Sequence, residues 1–282
     1  MPWWGKILLK IILSRLNISY NVWQKLRIFR HGAMDDPEYA FNTFNRHYNS
    51  GEFVNKGKNF TMMEIGPGDS LASGIIAFYY GAKKSFLVDV GDDAIQQTTN
   101  YKNLLEYLKN KKDINVNYKD GLSVDDIYKI WNISYLSDGL DSLKIIPDSS
   151  VDFIWSQSVL EHIDKYEFIN YLRELRRIIS IGGISVHGVD LKDHLSYAHN
   201  NLRFPEKVWE SAFMKKSGFY TNRILYSDMI KILKDCNFHV EIKNIKRWDI
   251  MPTPRNKLDK QFCNFSDEDL MISEFDILLK PA

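Results

Sequence analysis

A glycine turn between an apolar strand and an apolar helix constrains the fold of this chain most strongly. The turn is Met63-Glu64-Ile65-Gly66-Pro67-Gly68-Asp69-Ser70, and it follows the apolar run that begins at Phe60. An apolar helical segment, residues 71–80, comes directly after it. Glycines in such a turn let the backbone approach a ligand closely, and the following helix offers free N–H groups. The pattern therefore predicts a ligand cradle at the end of a buried strand.

A second apolar run, Ser85-Phe86-Leu87-Val88, ends in Asp89. An acid about twenty residues after the glycine turn, at a strand end, suits the two hydroxyls of a ribose. Two ligand classes fit this combination, namely a dinucleotide and S-adenosylmethionine (SAM). The spacing alone does not choose between them.

The details of the turn favour SAM over a dinucleotide. The dinucleotide fingerprint has a third glycine where this chain has Leu71, and Pro67 separates the two glycines that are present. Glu64 opens the turn, and a carboxylate repels a pyrophosphate but attracts a cation. SAM carries an ammonium and a sulfonium group. We therefore expect SAM as the cofactor and keep a nicotinamide enzyme as a distant alternative.

These residues and two later segments resemble the class I SAM-dependent methyltransferases. The resemblance rests on four segments in the family's order, which are Glu64–Gly68, Leu87–Asp89, Val151–His162 and Leu175–Gly183. One departure is Ser70, where many members have a third glycine; a serine there is able to cap the following helix. The resemblance implies an α/β fold, a doubly wound Rossmann-like sheet of seven strands with added N-terminal helices.

The resemblance also implies which residues hold the cofactor. Glu64 would lie near the methionine ammonium, and Asp89 would bind the ribose. The remaining candidates are the backbones of Gly66 and Gly68 for the methionine part, the main chain of Ser156 and Gln157 at its end, and Asp138 for the adenine amino group. For Asp138 a plain Asp-Gly turn is an equal alternative.

The apolar patterns divide the chain into two parts. Residues 1–55 are predicted to form an N-terminal helical extension, with one helix from Pro37, and residues 56–282 the SAM-binding domain with a substrate-pocket insertion around 195–222. Ile181-Gly182-Gly183 is expected to end a helix that begins near Tyr166. The last strand, from Met271, is expected to run antiparallel to the sixth.

Asp190 and His194 are the catalytic candidates. They lie just past the predicted fifth strand at i and i+4, and methyl transfer to a hydroxyl needs a base that an aspartate is able to orient. A metal site that includes His187, or a structural role, remains open for these residues. Asn222 and Arg223 are expected to start a helix and to bind a polar substrate or phosphate; a surface loop is the equal alternative.

The most favoured function is methylation of a hydroxyl on a sugar or another small polar acceptor. Beyond the core, Phe29–Asp35 and Asp190–His194 resemble methyltransferases of bacterial surface-polysaccharide pathways. Methyl transfer to nitrogen or to a lipid headgroup is an alternative that needs no strong base. A scaffold that binds SAM without catalysis is an alternative from another class.

Charge and cysteine content limit the partners. The formal net charge is +1, so no global field points to nucleic acid, and two cysteines give no disulfide framework or metal spacing. We expect a cytoplasmic protein with a small-molecule or glycan substrate and no metal. The segment Trp3–Leu16 is apolar with basic residues at helical spacing, which suits either packing on the protein or contact with an anionic membrane surface. The oligomeric state is left open.

Overall fold

The computed structural model describes residues 33–53, 58–92, 94, 96–118 and 121–282, together with Gly5. The basic, apolar segment Trp3–Leu16, predicted either to pack on the protein or to contact a membrane, lies outside the described residues apart from Gly5. The first residues of the Phe29–Asp35 resemblance lie outside them as well.

The described residues form one seven-stranded sheet in the order β3-β2-β1-β4-β5-β7-β6. The neighbouring pairs among β1 to β5 are all parallel, and β7 is antiparallel to both β5 and β6. The strands are β1 Phe60–Ile65, β2 Ala82–Val88, β3 Ile133–Leu136, β4 Val151–Gln157, β5 Ile179–Asp190, β6 Phe238–Arg247 and β7 Ile272–Pro281. The doubly wound class I methyltransferase fold predicted from the sequence is confirmed.

Helices cover both faces of this sheet. Every residue of β1 is buried, as expected for a central parallel strand with helices on either side. The α-helices are α1 Pro37–Ser50, α2 Ala72–Tyr79, α3 Thr98–Lys112, α4 Val124–Ile130, α5 Leu140–Lys144, α6 Phe168–Ile178, α7 Glu206–Trp209, α8 Ala212–Lys215, α9 Tyr226–Asp235 and α10 Asp267–Leu270. Within the described ranges, three short 3₁₀ turns lie at Asn200–Arg203, Arg255–Lys257 and Lys260–Phe262.

Two predicted element boundaries are wrong. Ile181–Gly183 does not end the helix; α6 stops at Ile178, and Ile179 is already extended and begins β5. Arg223 does not begin a helix, because its φ of 58° is left-handed, and α9 starts only at Tyr226. In both cases the hydrophobic pattern does not predict the backbone conformation that ends or delays the helix.

Helix α1 crosses the sheet and brings its N-terminal end to the glycine turn. Asp36 caps the helix by accepting the N–H of Tyr39 at 2.8 Å, next to Pro37 at the predicted first position. Phe44 packs edge-on against Trp155 of β4, with ring centroids 5.9 Å apart. Just before the helix, the carbonyl of Met34 accepts a 3.0 Å hydrogen bond from the Ser70 hydroxyl. This bond fixes the start of α1 beside the predicted cofactor cradle.

Residues 195–222 fold over a small apolar cluster of their own. Its buried members are Leu195, Trp209, Met214, Phe219 and Tyr220. The Trp209 indole also donates a 2.7 Å hydrogen bond to the carbonyl of Thr221. The cluster holds this segment as a packed unit next to the ends of β4 and β5.

Candidate functional site

The glycine turn has the backbone geometry that only glycine adopts easily. Gly66 and Gly68 have φ values of 67° and 61°. The N–H of Gly66 donates to the carbonyl of Val88 at 2.8 Å, which joins the turn to the end of β2. A Cβ at Gly66 would lie 2.5 Å from the Cγ2 of Val159, so the turn is also packed against the segment after β4.

Asp89 connects the turn to two neighbouring strand ends. Its carboxylate accepts the N–H of Gly68 at 3.1 Å and the N–H of Val90 at 2.7 Å. Its carbonyl accepts the N–H of Gly139 at 2.8 Å, immediately after the exposed Asp138. The structure therefore brings together Gly68, Asp89 and Asp138. Asp138 also opens a turn, because its carbonyl accepts the N–H of Asp141 at 3.1 Å.

Glu64 is a buried carboxyl near the end of β1. The Ser73 hydroxyl donates a hydrogen bond to it. Removal from water raises the pKa of Glu64 to about 8, and repulsion from Asp89 acts in the same direction. Among the residues that the structure describes, no lysine or arginine forms an ion pair with this carboxyl. A cationic ligand group would stabilise its charged form.

The side chains of Ser156 and Gln157 form hydrogen bonds with other side chains of the protein. Ser156 Oγ lies 2.7 Å from Nδ1 of His187, whose Nε2 lies 2.6 Å from the Ser185 hydroxyl. Gln157 Oε1 accepts hydrogen bonds from Arg46 and, at 3.0 Å, from His47. Binding of the methionine part by the main chains of Ser156 and Gln157 stays a prediction.

His187 lies in this interior network. Burial, followed by repulsion from His47, lowers the pKa of His187 to about 3, so the imidazole is neutral. Within the described ranges, no group of three or more His, Cys, Asp or Glu side chains is arranged to hold a metal ion.

Asp190 and His194 contact different partners. The Asp190 carboxylate accepts the backbone N–H of Lys192 at 2.9 Å and lies 3.5 Å from its ammonium group. The His194 Nε2 lies 3.0 Å from the Nε2 of His162, with the two rings 13° from parallel. Residues 191–194 are not helical, so the i, i+4 spacing does not by itself place Asp190 against His194.

The hydrogen bonds assign the protons of this imidazole pair. Nδ1 of His162 lies 2.7 Å from the carbonyl oxygen of Tyr220, which only accepts, so this nitrogen carries the hydrogen. In the neutral ring Nε2 of His162 is then an acceptor, and His194 must donate to it from Nε2. The basic nitrogen of a neutral His194 is therefore Nδ1. Sequence reasoning did not find this pair, although His162 comes shortly after the end of β4 and His194 shortly after the end of β5.

Asn222 and Arg223 are buried and do not form a surface loop. The Asn222 amide donates to the carbonyls of Leu160 and Ile163 at 2.8 and 3.1 Å. The Arg223 guanidinium pairs with Glu206 at 2.9 Å and lies over the Trp209 ring. These contacts fasten the 195–222 segment to the end of β4, and binding of substrate by either side chain stays a prediction.

Comparisons with known proteins found a protein family and several solved structures that are similar to this chain. Residues 63–187 match a protein family described as "Methyltransferase domain". No curated protein matches the chain. Among solved structures, the chain is similar to a SAM-dependent methyltransferase from Methanosarcina mazei, with 16% identity and a TM-score of 0.48 over 81% of this chain and 97% of that one. It is also similar to one from Archaeoglobus fulgidus, with 14% identity and a TM-score of 0.47 over 87% and 94% of the two chains.

The matched segment contains the glycine turn, Asp89 and the end of β4 with His162. It therefore covers the strand ends that form the cradle. Residues 63–187 therefore form a methyltransferase domain.

Proposed function

We propose that this methyltransferase methylates a hydroxyl group of a sugar or another small polar acceptor. The imidazole pair His162–His194 carries this proposal, because it supplies a base beside the cradle at the ends of β4 and β5. A bound SAM supplies an activated methyl group on a good leaving group. The protein then has to align the acceptor and remove its proton.

In this proposal His194 is the base and His162 orients it. The acceptor hydroxyl gives its proton to Nδ1 of His194, while Nε2–H of the same ring stays on His162. The proton on Nδ1 of His162 remains bound to the carbonyl of Tyr220. A fixed hydrogen-bond partner holds the catalytic imidazole in one tautomer and one orientation. We assign the orienting role to His162, since the described contacts of the Asp190 carboxylate are with Lys192.

The cradle residues suit the roles that the sequence predicts for SAM binding. The buried Glu64 would pair with the methionine ammonium, and the backbone of Gly66 would lie against the methionine part. Asp89, fixed by the N–H groups of Gly68 and Val90, would bind the ribose hydroxyls. We retain the other assignments unchanged, which are the Gly68 backbone, the main chain of Ser156 and Gln157, and Asp138 at the adenine.

An exposed aromatic ring close to His194 supports a sugar as the acceptor. Tyr197 is three residues further along the same loop and is 72% exposed. The loop is tightly held, because the buried Asp193 accepts the N–H groups of Leu195 and Ser196, and the Trp248 indole donates to the carbonyl of Tyr197. Tyr197 has a φ of 58°, a conformation that costs a tyrosine energy and that persists when the surrounding structure requires it. Aromatic faces pack well against the apolar faces of sugar rings.

The wider setting is proposed from the sequence alone. The likeness to surface-polysaccharide methyltransferases suggests a glycan assembled at the cytoplasmic face of a membrane. The basic, apolar segment before residue 33 would then make peripheral contact, and residues 195–222 would shape the acceptor pocket. None of the helices in the described ranges is long and apolar enough to span a bilayer.

The acceptor class is tested with methyl-tritiated SAM and a panel of methyl glycosides of hexoses, deoxyhexoses and hexosamines. We expect label on a ring hydroxyl, located by mass spectrometry of the product. Tyr197→Ala should raise the KM for the glycoside about tenfold, the loss of one stacked ring, while Tyr197→Phe and the Kd for SAM stay unchanged. Label on the amine of hexosamines, or no labelled glycoside at all, contradicts a sugar hydroxyl as the acceptor.

The Glu64 assignment predicts that SAM binding releases a proton. In the free protein the pKa of Glu64 is raised to about 8, so at pH 7 the carboxyl is largely protonated. A neighbouring ammonium lowers that pKa, so binding at pH 7 should release up to about one proton, and the affinity should rise with pH until about pH 8. Calorimetry in buffers of different ionisation enthalpy measures this release.

Glu64→Gln is the control for that measurement, because the amino group of the ligand also titrates near pH 8. The variant keeps the shape of the side chain but cannot ionise. We expect it to lose the proton release at pH 7 and to bind SAM about tenfold or more weakly. Equal proton release by both proteins would show that Glu64 does not face the ammonium.

A further inference from the structure

Glu161 joins the three chain segments that carry the imidazole pair. It lies just after β4 and is 2% exposed. Its Oε1 accepts the N–H of Asp190 at 3.2 Å, at the end of β5. Its own carbonyl accepts the N–H of Asn222 at 2.7 Å, two residues after the Tyr220 carbonyl that binds His162. The function proposed above gives Glu161 no role.

A small cavity lies against Glu161. It is lined by Glu161, Leu191, His199, Asn201, Leu202, Thr221, Asn222, Arg223, Ile224 and Leu225. Its volume of ≈ 10 Å³ is close to the space that one water molecule needs. Three buried polar atoms of lining residues have no hydrogen-bond partner within the part of the chain that the structure describes, namely Glu161 Oε2, His199 Nδ1 and Arg223 Nε. A buried polar atom without a partner costs about 1–3 kcal/mol, so a shared partner is strongly favoured.

The three atoms complement one another as donors and acceptors. His199 Nε2 lies 3.0 Å from the carbonyl of Leu270 and must donate to it, so Nδ1 of the neutral ring accepts. Burial lowers the pKa of His199 to about 4, which keeps the ring neutral. Arg223 Nε–H donates. Burial, with repulsion from Asp190 and Glu274, raises the pKa of Glu161 well above its usual value, so its Oε2 carries a hydrogen and donates.

We propose that this cavity binds one ordered water molecule, which accepts from Arg223 Nε and Glu161 Oε2 and donates to His199 Nδ1. We also infer that the protonated Glu161 is a positioning residue for the imidazole pair. Its side chain fixes the backbone at Asp190 and, through the water, connects the end of β4 to the 195–222 segment. The water site stands on the cavity alone, whereas the positioning role rests on the proposed function.

The water site is tested first, in the unchanged protein. A crystal structure of the full chain with the demethylated cofactor, at a resolution that shows ordered water, should contain one density peak within hydrogen-bond distance of Glu161 Oε2 and His199 Nδ1. An empty cavity overturns the water site, as does a direct hydrogen bond between the lining side chains that closes it. This test needs no acceptor, so its result is independent of the proposed function.

The positioning role is tested with Glu161→Gln and Glu161→Leu. Glutamine keeps a neutral side chain with one acceptor for Asp190 N–H and one donor for the water, so we expect kcat within about threefold of the original. Leucine removes both bonds; a misplaced base then lowers kcat about tenfold to hundredfold, with the Kd for SAM unchanged. The rate is measured with the best glycoside of the panel.

The outcomes separate the two ideas. If glutamine loses as much activity as leucine, Glu161 acts as a charged group, and the proposal is wrong. If both variants keep full turnover, Glu161 does not position the pair. If leucine prevents folding, the glutamine variant and the water peak still decide, because both use a folded protein. If activity falls on changing Glu161 but not on changing His194, then His194 is not the base and that part of the proposed function is wrong. The water site would still stand.

Discussion

Gly66→Ala should abolish most SAM binding. The substitution has two independent free-energy costs. An alanine at a φ of 67° costs about 1–2 kcal/mol, and its Cβ would lie 2.5 Å from Val159 Cγ2, so the turn or the segment after β4 has to move. Overpacking of this kind adds about 1–3 kcal/mol. Since the displaced turn carries the cradle, we expect the Kd for SAM to rise at least about tenfold, measured by calorimetry with SAM and with its demethylated product.

Gly182→Ala is the matched control. Gly182 also has a left-handed φ, 79°, but a Cβ there would meet no atom within 4 Å. Backbone strain should lower the stability of the control by about the same amount, measured by thermal unfolding, while its SAM affinity stays unchanged. If Gly66→Ala bound SAM as tightly as Gly182→Ala, the close approach of the ligand to this turn would be wrong, even though the fold would stand.

The parts of the structure that the sequence predicts well are those with local signals. Strand β1 begins at Phe60, where the apolar run begins, and ends at Ile65, where the glycine turn closes it. The contact between Asp89 and the glycine turn is also predictable, because β1 and β2 are parallel neighbours that end at the same edge of the sheet. Ser70 shows how the missing third glycine is accommodated. Its hydroxyl accepts the N–H of Ala72 at 3.2 Å and donates to Met34.

The parts that the sequence does not predict depend on contacts between distant segments. The i, i+4 spacing of Asp190 and His194 suggests a pair only if the segment is helical, and the loop is instead held by Asp193. His194 meets His162 because β4 and β5 are neighbours and both residues follow their strand ends. Arg223 is an analogous case, because its ion-pair partner Glu206 comes from the folded 195–222 segment. Long-range pairs of this kind leave no periodic mark in a sequence.

His194→Ala should lower kcat by about a hundredfold to ten-thousandfold, the usual contribution of a positioned general base. The Kd for SAM should not change, because His194 is not among the residues assigned to the cofactor. The rise of the rate with pH, which reports loss of a proton from the base, should disappear in the variant. Steady-state turnover of the best glycoside across pH, with calorimetry for SAM, measures both effects.

Two further variants decide whether the imidazoles act together. His239→Ala is the matched control, since His239 is an exposed histidine on the edge strand β6 and should keep full turnover. His162→Ala removes the partner of His194 and should cost part of the rate, while the double variant should be no slower than His194→Ala alone. Additive losses would mean that the two rings act separately. Full turnover by His194→Ala would point instead to an acceptor that needs no strong base, such as an amine.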